Sequence, residues 1–158
     1  MTGISNYTIT DSLAVDDRPE VTISQNKVYT HQVSPPRDEY WLLNTVMIYF
    51  QPSSSTKSGS HAAIVSLIDD SDNKWKLITG TAAHDERLMV WPAQIAGGEI
   101  NQESAMSVQR AVRGIVLEPN DKLDFSWENN TDTDFVTGTS DESDAQMRVW
   151  LTGAIVEL

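Results

Sequence analysis

Two clusters of acidic residues are the places in this sequence where a metal ion could bind. Asp69, Asp70 and Asp72 form the first cluster, and the second begins at Asp132 and Asp134. Carboxylate oxygens are the ligands that calcium prefers, and it takes about six to eight oxygens. The first cluster lacks EF-hand spacing, because it has no glycine at the sixth place and no glutamate at the twelfth. We therefore interpret both clusters as hydrated turns and keep them as secondary calcium candidates. The other acids near the second cluster are Asp141, Glu142 and Asp144.

Acid–base catalysis needs titratable groups that converge, and the histidines of this sequence do not converge. His31, His61 and His84 lie on different segments, and none has a partner at short spacing. His84 is followed by Asp85 and Glu86, yet adjacent residues of a strand point to opposite faces. The sequence contains no motif for a serine nucleophile, a phosphate-binding loop, a dinucleotide or a zinc protease. It therefore predicts no catalytic centre and no cofactor.

An enzyme with dispersed carboxylates is the remaining catalytic alternative. A glycosidase places two acids across a sheet, and Asp124 or Glu128 could act with another acid in this way. Nothing in the sequence singles out such a pair, so an enzyme ranks below the two binding functions considered below.

The tryptophans offer binding surface rather than catalysis. Leu123, Phe125 and Trp127 occupy every second position and alternate with polar residues. This pattern predicts that Trp127 is buried. Trp150 shares a strand face with Arg148, so we predict that both contribute to an interface. Trp75 lies between two lysines after a polar turn, and we predict that it is exposed and also belongs to an interface. The five tryptophans are Trp41, Trp75, Trp91, Trp127 and Trp150.

Charge and composition narrow the choice of partners. Twenty-three acidic residues against eleven basic ones give a net charge of -12, which repels phosphate backbones and anionic lipid headgroups. We therefore predict neither nucleic acid nor a membrane as a partner. The acidic excess also suits a halophilic source, where salt screens self-repulsion. The absence of cysteine excludes disulfides and thiolate metal sites. The N-terminus lacks the pattern of an export signal, which predicts synthesis in the cytoplasm.

Patterns typical of β-strands follow one another from residue 21 onward. Residues 40–50 (YWLLNTVMIYF) are apolar on both faces, which is typical of a strand at the centre of a fold. Residues 21–23 and 28–33 flank a turn at Gln25 and Asn26 and predict a hairpin. Residues 62–68 and 75–78 flank the first acidic cluster and predict a second hairpin.

The remaining segments complete a single domain. Residues 1–20 lack sustained periodicity and predict an N-terminal arm that a neighbouring molecule orders. About eight strands without a helix of ten or more residues predict an all-β fold over residues 21–158, a single antiparallel β-sandwich that is jelly-roll-like. Residues 97–109 predict a long connection that crosses between the sheets. Further strands are predicted at 88–91, 114–117, 123–127 and 147–156.

Four segments from Tyr40 to the C-terminus carry a resemblance to a known group of proteins. They are YWLLNTVMIYF, AAIVSLIDDSDNKWKLI, GIVLEPNDKLDFSWEN and MRVWLTGAIVEL. In these segments the chain resembles small jelly-roll virion proteins of tailed bacterial or archaeal viruses, although Asn120 stands where the group often has glycine. The resemblance implies a capsid decoration, turret or head-surface protein that assembles as a small symmetric oligomer and has no active site.

The leading hypothesis is therefore a structural virion protein located on the capsid surface. Its partners would be further copies of itself, as a homo-trimer or homo-pentamer, and the major capsid protein or other virion proteins. Symmetric closure allows one weak patch to be used several times. The alternative from another class is a carbohydrate-binding β-sandwich module, which the tryptophans and the acidic loops would suit.

Overall fold

Strands dominate the computed structural model, which describes residues 7–90, 105–107, 115–141 and 143–157. Strands make up 63% of this part of the chain, and it contains no helix. Accordingly, none of the residues described forms a helix suited to crossing a membrane. The strands are β1 (Thr8–Asp17), β2 (Thr22–Ile23), β3 (Lys27–Val33), β4 (Tyr40–Gln51), β5 (Gly59–Ile68), β6 (Lys74–Ala83), β7 (Leu88–Val90), β8 (Ala105–Ser107), β9 (Val116–Leu117), β10 (Lys122–Thr131), β11 (Phe135–Val136) and β12 (Gln146–Glu157).

Two antiparallel sheets pack against each other. In sheet I the order is β1-β12-β4-β7, and β9 also pairs with β4. In sheet II the order is β3-β10-β5-β6-β8, while β2 and β11 form a small two-stranded ribbon. The chain passes from one sheet to the other between most consecutive strands, as jelly-roll topologies do. The predicted all-β sandwich is therefore confirmed.

Side chains that alternate into the space between the sheets form the core. Leu123, Phe125 and Trp127 on β10 are 0%, 0% and 2% exposed, which confirms the predicted period of two. On β4, Phe50 packs against Phe135 with 4.8 Å between the ring centroids. β4 lies between β12 on one side and β7 and β9 on the other, so its predicted central place is confirmed.

One of the two predicted hairpins is present and the other is wrong. β5 and β6 pair across the turn that contains the first acidic cluster, as predicted. The turn at Gln25 and Asn26 also forms, with Asn26 in the left-handed region at φ 60°. However, β2 pairs with β11 and β3 pairs with β10. A turn signal fixes where the chain reverses but not which strand accepts its hydrogen bonds, and Tyr29 of β3 stacks against Trp127 of β10 instead.

The N-terminal segment differs from the predicted arm. Thr8–Asp17 forms β1, an edge strand of sheet I that pairs with β12 along its length. Within β1 only Leu13 is buried, at 7% exposure, while Ile9 is 60% exposed. An edge strand with one buried side chain gives no apolar alternation, so the sequence did not indicate a strand there. The predicted crossing at 97–109 lies outside the described residues except for β8, and Trp91 and Glu142 also lie outside them.

Candidate functional site

The outer face of sheet II carries a polar network centred on β10. Asp124 of β10 is buried on this face and accepts hydrogen bonds from Gln32 Nε2 at 3.0 Å and Lys74 Nζ at 3.1 Å. Its register partners are Gln32 on β3 and Ser66 on β5, so no acid lies directly across the sheet from it. Glu128 is four residues along the same strand, which places it about 13 Å away. That spacing exceeds what a pair of glycosidase carboxylates needs, so Asp124 and Glu128 do not form such a pair.

The outer face of sheet I contains the interface residues that the sequence predicted on β12. Arg148 forms a bidentate ion pair with Asp16 of β1, with Nε–Oδ1 at 2.7 Å and Nη2–Oδ2 at 2.9 Å. The guanidinium of Arg148 also lies over the ring of Trp150, at 5.4 Å from its centroid. The hydrogen bond from Arg148 lowers the pKa of Asp16 and raises that of Arg148. The ion pair and the ring contact together orient Arg148 on this face.

A cleft of about 360 Å³ opens beside this pair, and we call it the sheet I cleft. Tyr49 forms one wall, and its hydroxyl donates a hydrogen bond to Gln51 Oε1 at 2.6 Å. Arg18 stands exposed at the rim, and its charge adds to the effect of the Arg148 hydrogen bond in lowering the pKa of Asp16. The cleft therefore combines apolar walls with two guanidinium groups. Its lining residues are Arg18, Met47, Tyr49, Met89, Gln146, Met147 and Arg148.

Sequence reasoning identified Arg148 but missed the rest of the sheet I cleft. The lining comes from the residue after β1, from β4, from β7 and from β12, which are far apart along the chain. Pairing of β4 with both β7 and β12 brings Tyr49 opposite Met89 and Arg148. The sequence contained one indication of the cleft. Tyr49 lies at an outward-facing position of a strand that is apolar on both faces.

The first acidic cluster forms the tip of the β5–β6 hairpin. Asp69 uses its carboxylate within the turn, where it accepts hydrogen bonds from Ser71 N and from Asn73 N and Nδ2. The hydrogen bond from the Asn73 side chain is the main reason why the pKa of Asp69 is lowered. Asp72 N donates a hydrogen bond to the carbonyl of Asp69 at 3.0 Å, while the side chains of Asp70 and Asp72 are exposed. The cluster is thus an internally bonded turn with two free carboxylates.

The second acidic cluster also bonds to its own loops. Asp132 Oδ1 accepts hydrogen bonds from Lys57 N at 2.9 Å and Ser58 N at 3.2 Å, and the bond from Lys57 is the main cause of its lowered pKa. Asp134 accepts one from Gln25 N at 3.1 Å. Among the described residues, no group of three or more histidine, aspartate or glutamate side chains is placed to hold a metal ion.

Trp75 and the histidines occupy separate regions. Trp75 is 40% exposed near the start of β6, in agreement with its predicted exposure. His84 lies 4.0 Å from Asp85 in a surface turn. His31 Nε2 contacts Asp17 Oδ2 at 2.9 Å and links the edges of the two sheets. His61 is buried, so the three histidines do not form one site.

The burial of His61 predicts a pH-dependent stability. Its Nε2–H donates to the carbonyl of Glu86 at 2.8 Å, while its Nδ1 has no partner among the described residues. Desolvation by burial is the main cause of its pKa being lowered from the ordinary 6.5. Because the folded-state pKa is lowered, the neutral form of His61 makes a contribution to stability. This contribution is present above pH 6.5 and is lost as the pH falls through the folded-state pKa.

We expect the free energy of unfolding in urea to fall between pH 7.5 and pH 5 in the wild-type chain, and to fall less steeply in His61→Phe. The matched control is His84→Phe, which makes the same substitution at a partly exposed histidine, so that the change in slope at His61 is compared with it. An equal dependence of the unfolding free energy on pH in all three proteins would contradict the inference that the burial of His61 causes it. Carboxylates with lowered pKa values act only below their ordinary 3.8 and do not interfere.

Comparisons with known proteins give no family for this chain. No family model matches the sequence, and no curated protein matches it. A CocE/NonD family hydrolase from Staphylococcus aureus is similar at 10% identity and a TM-score of 0.38, over 94% of this chain and 32% of that chain. The family 11 carbohydrate-binding module from Clostridium thermocellum, in complex with a β-1,3-1,4-mixed-linked tetrasaccharide, is similar at 10% identity and a TM-score of 0.32, over 96% of this chain and 91% of that one.

A third solved structure, of infectious bursal disease virus Gt strain, is similar at 11% identity and a TM-score of 0.20, over 96% of this chain and 32% of that chain. This chain therefore spans about a third of the length of the hydrolase and of the viral chain. None of the three similarities assigns a function to it.

Proposed function

We propose that this chain is a non-enzymatic structural protein of a virion, a capsid decoration or turret component that forms a symmetric homo-oligomer on the capsid surface. The observation that carries the proposal is the difference between the outer faces of the two sheets. Sheet II bears a polar network in which the exposed Lys74 and Gln32 bond to the buried Asp124. Sheet I presents Trp150, Tyr49 and a cleft with methionine walls.

An apolar and aromatic sheet face favours association. Tryptophan, tyrosine, methionine and arginine are the residue types enriched where proteins meet, and they supply most of the binding energy there. In a trimer or pentamer, symmetry repeats one contact between such a face and a complementary patch of the next subunit. The large acidic excess of the chain then keeps the assembled particle soluble and discourages contacts with other anionic matter.

The partners and location follow from this proposal. The protein associates with further copies of itself, as a trimer or pentamer, and with the major capsid protein or another virion protein beneath it. It is made in the cytoplasm of the host and resides in the virion. The sequence segments that resemble small jelly-roll virion proteins support this proposal, because they include β12, which bears Trp150 and Arg148.

Self-association can be tested by light scattering coupled to size exclusion, at low and at near-molar salt. We expect a discrete trimer or pentamer for the wild-type chain and at least about a tenfold weaker association for Trp150→Ala, because a tryptophan at an interface dominates its energy. The matched control is Thr30→Ala, on the outer face of sheet II, which should assemble normally. A wild-type chain that stays monomeric at both salt concentrations would contradict the proposal.

A carbohydrate-binding module is the second candidate, and the sheet I cleft is the observation that favours it. Tyr49 offers an aromatic wall, and Gln146 and Arg148 offer planar polar groups that suit sugar hydroxyls. Calorimetric titration with neutral and acidic oligosaccharides separates the two candidates. Saturable binding that Tyr49→Ala abolishes, together with a monomeric mass, would favour the module over the virion protein.

A further inference from the structure

We propose that the hairpin tip of one copy docks into the sheet I cleft of the next copy, with Trp75 as its anchor. The hairpin tip is defined as residues 69–75. This inference rests on the proposed function, because it names the contact through which the copies assemble. It joins two patches that differ from each other, and contacts of this kind close into rings when the rotation between copies allows it.

The sheet I cleft has the properties of a receptor for an acidic, aromatic segment. Arg18 stands exposed at its rim, within electrostatic reach of Asp16, and the Nη1 group of Arg148 takes no part in the pair with Asp16. Asp16 neutralises Arg148, so the net positive charge at the cleft comes from Arg18, in a chain with only eleven basic residues against twenty-three acidic ones. Met47 and Met89 provide adaptable apolar walls for a ring.

The hairpin tip has the complementary properties. Trp75 is 40% exposed, although a tryptophan ring carries a large apolar area. Asp70 and Asp72 stand beside it with free carboxylates, because Asp69 supplies the bonds that hold the turn together. The positive charge of the neighbouring Lys74 is directed away from the tip, since its Nζ binds Asp124 at 3.1 Å. The tip therefore offers an apolar ring with two exposed carboxylates before it in the chain and one exposed lysine after it.

The fold prevents the tip from reaching the cleft of its own molecule. The chain leaves sheet I at Gln51 and enters sheet II at Gly59, so these two residues lie at the same end of the sandwich. Ile68, at the base of the hairpin tip, is at the other end of β5, about 30 Å away. The cleft lies on the outer face of sheet I toward the Gln51 end, where Gln146 pairs with Gln51. Only a second copy can bring the tip and the cleft together.

Mixing two assembly variants tests this contact. The tip variant carries Trp75→Ala and Asp72→Arg, and the cleft variant carries Arg18→Glu and Met89→Lys. We expect each variant alone to associate at least about tenfold more weakly than wild type. In a mixture, the intact cleft of the tip variant can receive the intact tip of the cleft variant. Native mass spectrometry should therefore show a 1:1 heterodimer and no ring.

The matched control is Val28→Ala, because Val28 is 58% exposed on sheet II and belongs to neither patch. This variant should assemble as wild type, and circular dichroism should show that all variants are folded. A wild-type oligomer that Trp150→Ala weakens but the tip variant does not would overturn this inference alone. Absence of the 1:1 heterodimer, when each variant alone is weakened, would also overturn it. A wild-type chain that is monomeric throughout would overturn the proposed function as well.

Discussion

Replacing Gly59 with alanine is expected to lower the free energy of unfolding by roughly 3–5 kcal/mol, measured by urea denaturation. Gly59 begins β5 with φ at +94°, a conformation that side-chain-bearing residues rarely adopt. A Cβ at this position would meet the backbone carbonyl of Asn130 and the Cα of Thr131 on the paired strand β10. Both of these atoms are backbone, so the strand pair itself must shift to relieve the contact.

The matched control for Gly59 is the next residue along β5. Ser60→Ala changes an exposed side chain in the same strand and should alter the stability by less than about 0.5 kcal/mol. Equal stabilities for Gly59→Ala and Ser60→Ala would show that the β5–β10 pair tolerates a side chain at Gly59 and that the contact described above is relieved at little cost.

The sequence predicted correctly those elements that are determined by their own residues. β10 alternates because one side of it faces the core, and Leu123 and Phe125 are fully buried as expected. β5 and β6 pair because the turn between them is short and rich in turn-forming residues. Local information was sufficient in both cases.

The elements that the sequence did not predict depend on partners that are distant along the chain. β2 pairs with β11, and the residues concerned are Ile23 and Phe135, more than a hundred positions apart. β1 is held by β12, by the Asp16–Arg148 ion pair and by one buried leucine, and none of these leaves a periodic signal in residues 8–17. Pairing between distant segments is decided by packing, which a single sequence does not reveal.

The candidate site follows the same rule. The alternation of side chains along β12 was enough to predict that Trp150 lies on the same face as Arg148. The polar turn before Trp75 was enough to predict that Trp75 is exposed. The sheet I cleft needed the order of strands in sheet I, because that order brings Arg18, Tyr49 and Met89 around Arg148. The acidic clusters drew attention in the sequence for the chemistry of their residues, yet their carboxylates are largely engaged in loop hydrogen bonds.

The second large effect is expected at Asn129, which is fully buried at the end of β10. Its Nδ2 donates hydrogen bonds to the carbonyls of Ile23 at 2.9 Å and Thr133 at 2.8 Å. Its Oδ1 accepts from Thr131 N at 3.1 Å and from Thr131 Oγ1 at 2.6 Å. This one amide therefore joins β10 to β2 and to the loop that leads to β11.

Asn129→Asp keeps the shape of the side chain but replaces the donor by a second acceptor. The new oxygen would face two carbonyls without a proton between them, and a buried carboxylate would lack a compensating charge. We expect a loss of roughly 3–5 kcal/mol at pH 7, because each unsatisfied buried group costs about 1–3 kcal/mol and more when it is charged. Burial raises the pKa of such a carboxyl, so part of the loss should be recovered as the pH is lowered and the group is protonated.

The neighbouring residue provides a matched control for this prediction. Asn130→Asp makes the same chemical change one position along β10, where the side chain is exposed, and should change the stability by less than about 0.5 kcal/mol. Urea denaturation of both variants at pH 7 and pH 4.5 gives the comparison. If Asn129→Asp were as stable as Asn130→Asp at pH 7, the amide network would not be what holds the β2–β11 ribbon against sheet II. Other contacts, such as that of Phe135 with His61 of β5, would then hold the ribbon against sheet II.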